Sequence, residues 1–335
     1  MTAPLAERLA AAAGGDRVAL ARLLSVVERG GDPARDLAAL AYRRPPPYSV
    51  GLTGAPGAGK STLTSRLITV ARAGWPRDGA GAEPVDQVAV LAVDPSSPFS
   101  GGAILGDRVR MQDHATDPSV FIRSMATRGH LGGLALAVPE AVRLLGAAGL
   151  GLVIVETVGV GQMEVEVASA TDTTVVVVTP GWGDSMQANK AGLLEVADVL
   201  VVNKADRPGV REARRDLEQM LDLSRSAPGD WRPPVIETVA ATGEGVAELW
   251  AAVSRHRAHL THTGALAARR SARLAEELKK VLVAQVLTEV TEVSAGEGFA
   301  AAVEATAAGR LDPYTAVDRL LAAVRGRGAA ERPAR

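Results

Sequence analysis

Two textures of apolar spacing divide the chain. Residues 3 to 42 are rich in Ala and Leu at helical intervals, interrupted at GGD, residues 14 to 16, and at GGDP from residue 30. This predicts two or three short helices, closed off by Pro45, Pro46 and Pro47. From residue 48 short apolar runs recur: YSVGLTG, QVAVLAVD, SVFIRS, GLGLVIVE, TTVVVVTP, DVLVVNKAD and PPVIETVAA, each followed by a stretch of helical character. Such alternation predicts an α/β fold with a mostly parallel sheet covered by helices on both faces, and ligands at the carboxyl ends of its strands. After about residue 260 the strand-like runs stop. RRSARLAEELKKVLVAQVLTEV and DPYTAVDRLLAAVRG then read as two or three amphipathic helices, followed by a polar tail, GRGAAERPAR. The expected layout is an N-terminal helical extension (1–46), an α/β domain (47–260) and a C-terminal helical arm (261–335).

Composition narrows the function. With 335 residues the chain can bury a sizeable core. Its 37 basic and 38 acidic residues leave a net charge of −1, which gives no electrostatic footprint for nucleic acid or an anionic membrane. The absence of cysteine removes disulfides, thiolate zinc sites and cysteine nucleophiles together. No stretch approaches the roughly 20 apolar residues of a membrane span, and the expected location is cytoplasmic.

The chemistry starts at GAPGAGKS, residues 54 to 61, which fits the phosphate-loop pattern G-x-x-x-x-G-K-[ST] between a predicted strand and a predicted helix. A phosphate needs several backbone N–H donors aimed at one point and the positive end of a helix behind them. Gly54, Ala55, Pro56, Gly57, Ala58 and Gly59 supply the loop, and Thr62 follows it on the helix. Lys60 is expected to reach the β- and γ-phosphates, and the Ser61 hydroxyl to ligate Mg²⁺. NKAD, residues 203 to 206, closes a later strand. The Asp206 carboxylate can accept from both N1–H and the 2-amino group of guanine, whereas adenine would be repelled. Asn203 can contact the other edge of the base, and Lys204 can pack its stem over the ring. GTP is the expected nucleotide.

Three further segments could complete the site. GLGLVIVETVGVGQ ends a strand on Glu156, which can hold Mg²⁺ directly or through water, and the Gly159 N–H can meet the γ-phosphate. Glu156 could also cap the next helix. AVDPSSPFSGGAILGDRVRM offers Asp94 and Asp107, two carboxylates able to converge on a metal–phosphate site, although Asp94-Pro95 is also a turn former and Asp107 also reads as a solvated acid. PGWGDSMQANKAG carries Lys190 in a segment that reads either as a switch or as a surface turn. The histidines of SRHRAHLTH, at 256, 259 and 262, are expected on a solvated helix face.

GAPGAGKST, AVDPSSPFSGGAILGD, ETVGVGQ, PGWGDSMQANKAG and NKAD, in this order, closely resemble the MeaB/ArgK family, G-protein chaperones of adenosylcobalamin-dependent acyl-CoA mutases that include the human methylmalonic aciduria type A protein. The resemblance runs from the N-terminal helices to DPYTAVDRLL. It implies a SIMIBI-type P-loop GTPase domain, Mg²⁺-dependent GTP hydrolysis, a homodimer made through the C-terminal arm and a mutase partner. It also implies that Ser61, Asp94, Asp107 and Glu156 surround the metal and γ-phosphate, with Lys190 in a partner-responsive loop. One departure is Val239-Ala240 where such GTPases usually carry Ser-Ala beside the guanine. The backbone amide contact is expected to survive there without the Ser hydroxyl. A nickel-insertion metallochaperone GTPase is the alternative, and it should carry a Cys/His ligand cluster. A transport-linked ATPase or kinase conflicts with NKAD.

Overall fold

The computed structural model describes residues 2–74, 85–94, 114, 116–126, 133–157, 170–181, 195–223 and 229–330. Asp107, Gly159 and Lys190 lie outside them. Each of the seven apolar runs forms a strand: β1 (Tyr48–Gly54), β2 (Val88–Asp94), β3 (Val120–Ala126), β4 (Leu152–Thr157), β5 (Thr173–Val178), β6 (Val199–Asn203) and β7 (Val235–Thr238). Among the described residues they make one sheet of order β3-β2-β4-β1-β5-β6-β7, parallel throughout. Strands β2, β3 and β4 lie on one side of β1, and β5, β6 and β7 on the other. The order therefore reverses at the carboxyl end of β1, where an open α/β sheet forms its ligand crevice.

Alternate strand residues feed different cores, as the period of two requires. Val153 and Val155 of β4 join Leu91, Val93, Phe121 and Met125 under three N-terminal helices, α1 (Thr2–Ala13), α2 (Arg17–Arg29) and α3 (Asp32–Ala41), and under α5 (Gly133–Ala147). Leu152 and Ile154 face the other way, with Val50, Leu52, Val175 and Val199, against α4 (Lys60–Ala73) and α7 (Val246–His262). A third cluster joins Val176, Leu200 and Val202 to Leu217 and Leu221 of α6 (Val210–Leu223). The N-terminal helices break where glycine allows it: Gly30 and Gly31 take φ of 67° and 76°, and the Asp16 carboxylate caps α2 by accepting from the N–H groups of Val18 and Ala19.

The amino ends of the central strands carry buried charge. Asp172, just before β5, is 1% exposed and accepts hydrogen bonds from Ser49 N–H, Arg270 and Arg273. Asp198, before β6, accepts from Thr174 N–H and Arg269, and the His256 ring lies 3.2 Å away. The three arginines belong to α8 (Ala265–Ser294). Burial alone would raise the Asp172 pKa. The Arg270 hydrogen bond and the charges of Arg273 and Arg270 outweigh it and hold the carboxyl below its ordinary value. Asp198 is lowered in the same sense, burial being opposed by His256 and Arg269.

The chain divides into two compact units, the first closing at Ala275 and the second beginning at Glu276. In the second, α9 (Glu297–Ala307) contacts α10 (Pro313–Ala330), whose start is capped by Asp312 accepting from Tyr314 and Thr315 N–H. Leu278, Leu282, Val286 and Val290 recur every four residues on α8 and are all exposed.

Asp172 and Asp198 ionise more readily folded than unfolded. Their contribution to stability is therefore present above the ordinary aspartate pKa and is lost as pH falls through the lower folded values. Urea unfolding of the wild type should weaken below about pH 4. Asp172→Asn should lose about 1–3 kcal/mol at pH 7, because two half-buried guanidinium groups lose their counter-ion, and should show a flatter pH dependence in that acid window.

Candidate functional site

The turn from β1 into α4 is built by three glycines for three separate reasons. Gly54 lies beside β5, and a Cβ there would fall 2.0 Å from the Val177 carbonyl oxygen. Gly57 takes φ of 73° with open space around it. Gly59 takes φ of 90° and offers no side-chain cap to α4, and a Cβ there would fall 2.4 Å from Asn203 Nδ2. The first amides of α4 thus follow directly on a loop whose own amides lack shielding side chains, the arrangement an anion requires. Lys60 is nearly buried, and its Nζ donates to the carbonyls of Gly54 (2.6 Å) and Ala55 (3.0 Å), which lays its ammonium along the loop.

Glu156 comes to the same place from the neighbouring strand. The register sets it between Leu52 of β1 and Ala92 of β2. Its carboxylate is buried, accepting at Oε1 from Ser61 Oγ (2.5 Å) and at Oε2 from Thr64 Oγ1 (3.0 Å). Asp94 closes β2 with its Cα opposite Ala126, so its backbone ends on the same edge of the sheet. The oxygens gathered here, from Ser61 and Glu156, are the hard donors that magnesium takes, and they fit that ion. Among the described residues no three His, Asp or Glu side chains gather as a metal cluster.

The segment that closes β6 is tied to the loop by one amide. Asn203 Nδ2 donates to the Ala58 carbonyl (2.7 Å), while its Oδ1 accepts from Thr238 Oγ1 (3.0 Å) and Ala240 N–H (3.1 Å). Lys204 takes φ of 61°, which turns the chain and carries its Nζ to the Gly57 carbonyl (2.7 Å). Asp206 follows on an exposed turn held by Arg207 N–H to the Lys204 carbonyl. Val239 bridges to Glu244, its N–H donating to that carbonyl. Both amides of Val239-Ala240 therefore have protein acceptors, and the Ala240 N–H is committed to Asn203.

Sequence reasoning missed two residues of this site. Thr64 falls three residues after Ser61 on one helix face, a spacing that could have pointed to it. Arg66, whose Nε and Nη2 donate to the carbonyls of Ala240 and Ala241 (3.4 and 3.0 Å), gives no such signal. The histidine row is corrected: His256 is fully buried, with Nδ1 2.8 Å from Thr173 Oγ1 and its ring against Trp231, while His259 is half-buried and only His262 is exposed. Steps of three residues turn a helix by about 300°, so the row rotates from core to solvent.

A profile of the family described as methylmalonyl Co-A mutase-associated GTPase MeaB matches residues 20–295. A Pyrococcus abyssi protein that carries a GTPase name is 45% identical over 318 residues, covering 94% of this chain and 95% of its own length. The GTPase ArgK of Escherichia coli K12 is 38% identical over 297 residues, 86% of each chain. The mitochondrial methylmalonic aciduria type A homolog of Mus musculus is 33% identical over 335 residues, 93% of this chain and 78% of its own. A solved structure described as a LAO/AO transport system kinase superposes with a TM-score of 0.66 at 29% identity, covering 96% of this chain and 98% of that one. The matched region takes in the phosphate loop, Glu156 and Asn203–Asp206 alike, and the chain belongs to the MeaB family of methylmalonyl-CoA mutase-associated GTPases, P-loop enzymes that hydrolyse GTP.

Proposed function

We propose that the chain is a magnesium-dependent GTPase that serves as chaperone to an adenosylcobalamin-dependent acyl-CoA mutase, methylmalonyl-CoA mutase first among them, gating cofactor loading and protecting or reactivating the mutase in the cytoplasm. The observation that carries this reading is the meeting of the phosphate loop, Glu156 and Asn203 at one strand edge in a member of a mutase-associated family.

On this reading the glycine-loop amides and Lys60 bind the β- and γ-phosphates, Lys60 exchanging the carbonyls of Gly54 and Ala55 for phosphate oxygens. Ser61 and Glu156, with Asp94 and Asp107, hold the metal. A bound magnesium ion supplies charge neutralisation as the bond to the terminal phosphoryl group breaks. Gly159 donates to the γ-phosphate, Asp206 selects guanine, and Lys190 belongs to the loop that responds to the mutase. The exposed apolar positions Leu278, Leu282, Val286 and Val290 support a homodimer through the arm of residues 261–335.

Asp206→Asn should invert base choice, because the amide offers a donor where guanine presents one and xanthine presents an acceptor. GTP affinity should fall by roughly tenfold or more while xanthosine triphosphate gains. A competition titration in which wild-type protein held ATP as tightly as GTP would remove the assignment.

The double substitution Leu282→Glu with Val286→Glu should convert a dimer into a monomer in light scattering and leave GDP affinity unchanged. An intact chain that is monomeric at micromolar concentration counts against the arm.

Hydrolysis should be slow alone and rise when the mutase encoded in the same genome is added. A cation supplied to the transition state is worth ~10³ to 10⁵ in rate in other GTPases. Lys190→Ala should lose most of the mutase-stimulated rate in single-turnover assays and keep the basal one. If none of that genome's cobalamin mutases bound or stimulated the protein, the chaperone reading would fail.

A further inference from the structure

Thr64 differs from five other helical threonines. The hydroxyls of Thr69, Thr261, Thr288, Thr291 and Thr306 each return to the carbonyl four residues earlier, the local bond a helix offers. Thr64 is fully buried on the face of α4 that covers the sheet, and its hydroxyl instead crosses to Oε2 of Glu156. Ser61, one turn earlier, donates to the other oxygen, Oε1. The two hydroxyls therefore grip the carboxylate from one helix and fix its rotation. A hydroxyl has one proton and two lone pairs. With the Ser61 proton committed to Oε1, both lone pairs of its Oγ remain for a cation.

We propose that Thr64 is a positioning residue for the metal: it acts through Glu156 to aim the Ser61 hydroxyl. This rests on the GTPase reading above, in which Ser61 ligates magnesium. Without the Thr64 donor, Oε2 loses a partner in a buried site. The carboxylate is then free to turn toward other donors and to release the Ser61 proton. Outer residues of this kind typically change metal affinity by about 10- to 100-fold when removed. The role is separable from packing because Val has the shape of Thr without the donor, whereas Ser has the donor without the methyl group.

The test uses the full-length protein, a fluorescent GDP analogue and MgCl₂ titrated against the analogue's dissociation rate. Wild type should release the analogue more slowly as magnesium is added. Thr64→Val should need roughly tenfold more magnesium for the half-maximal effect, while its release rate in EDTA stays within about twofold of wild type and Thr64→Ser behaves like wild type. On a Glu156→Gln background, Thr64→Val should add no further shift, since the two residues act as one unit. An unchanged magnesium midpoint in Thr64→Val, or equal shifts in Thr64→Val and Thr64→Ser, would overturn the proposal. Thr64→Ala carries the same comparison if the Val protein does not fold. A wild type that binds the analogue with no response to magnesium would overturn the metal reading itself, and one that does not bind it would overturn the nucleotide reading. Both outcomes differ from a wild type that responds and a Val variant that matches it.

Discussion

The carboxamide of Asn203 is the joint on which the nucleotide site depends. One side chain, buried at the end of β6, donates to the phosphate loop and accepts from the last residue of β7 and from the segment after it. The joint forces glycine at position 59, where a Cβ would occupy the space of the Asn203 amide nitrogen. It also engages the Ala240 amide. Buried polar groups of this kind stabilise only when every member is satisfied. Here both ends of the carboxamide are engaged, so the loop and the ends of β6 and β7 are tied to one another before any ligand contributes. Lys204 reinforces the joint by reaching from its left-handed backbone position to Gly57.

At the opposite ends of the strands the same problem of buried polarity is met with charge. Asp172 and Asp198 would be costly in the interior alone, and the guanidinium groups of Arg269, Arg270 and Arg273 arrive from α8 to offset them. Tyr48, Thr173 and His256 continue this network, and burial pushes the Tyr48 phenol above its ordinary pKa. The first turns of α8 are thereby part of the α/β body. A boundary read from the end of the strand pattern gives no hint of this, because the three arginines look like an ordinary solvated helix face in the sequence.

Parallel strands buried on both faces read as continuous apolar runs, and for that reason all seven were legible from one-dimensional pattern. The phosphate loop and Asn203–Asp206 were legible because their chemistry is local in sequence: glycines where backbone must approach, an amide and an acid three residues apart. Thr64, Arg66 and the Asp–Arg clusters were not, because their partners lie 92, 174 and 71 to 101 positions away. His256 was misread for a related reason. Three histidines at equal spacing look equivalent in a line, yet the helix carries one into the core beside Trp231 and another into solvent. What the Val239-Ala240 segment gives Asn203 is a backbone N–H, a contact that its side chains do not announce.

The placement of β1 has a consequence for how the protein comes to exist. Its two hydrogen-bonded neighbours are β4 and β5, so Gly54 meets Val177 across more than a hundred intervening residues. During synthesis at about 5–20 residues per second, this apolar strand waits on the order of ten seconds before its second neighbour has been made. Pairings of such long range are slow to form and leave strand edges open meanwhile. Until residue 178 has been translated, β1 lacks one of its two hydrogen-bonded neighbours, and the Gly54 end of the phosphate loop has no Val177 to pack against.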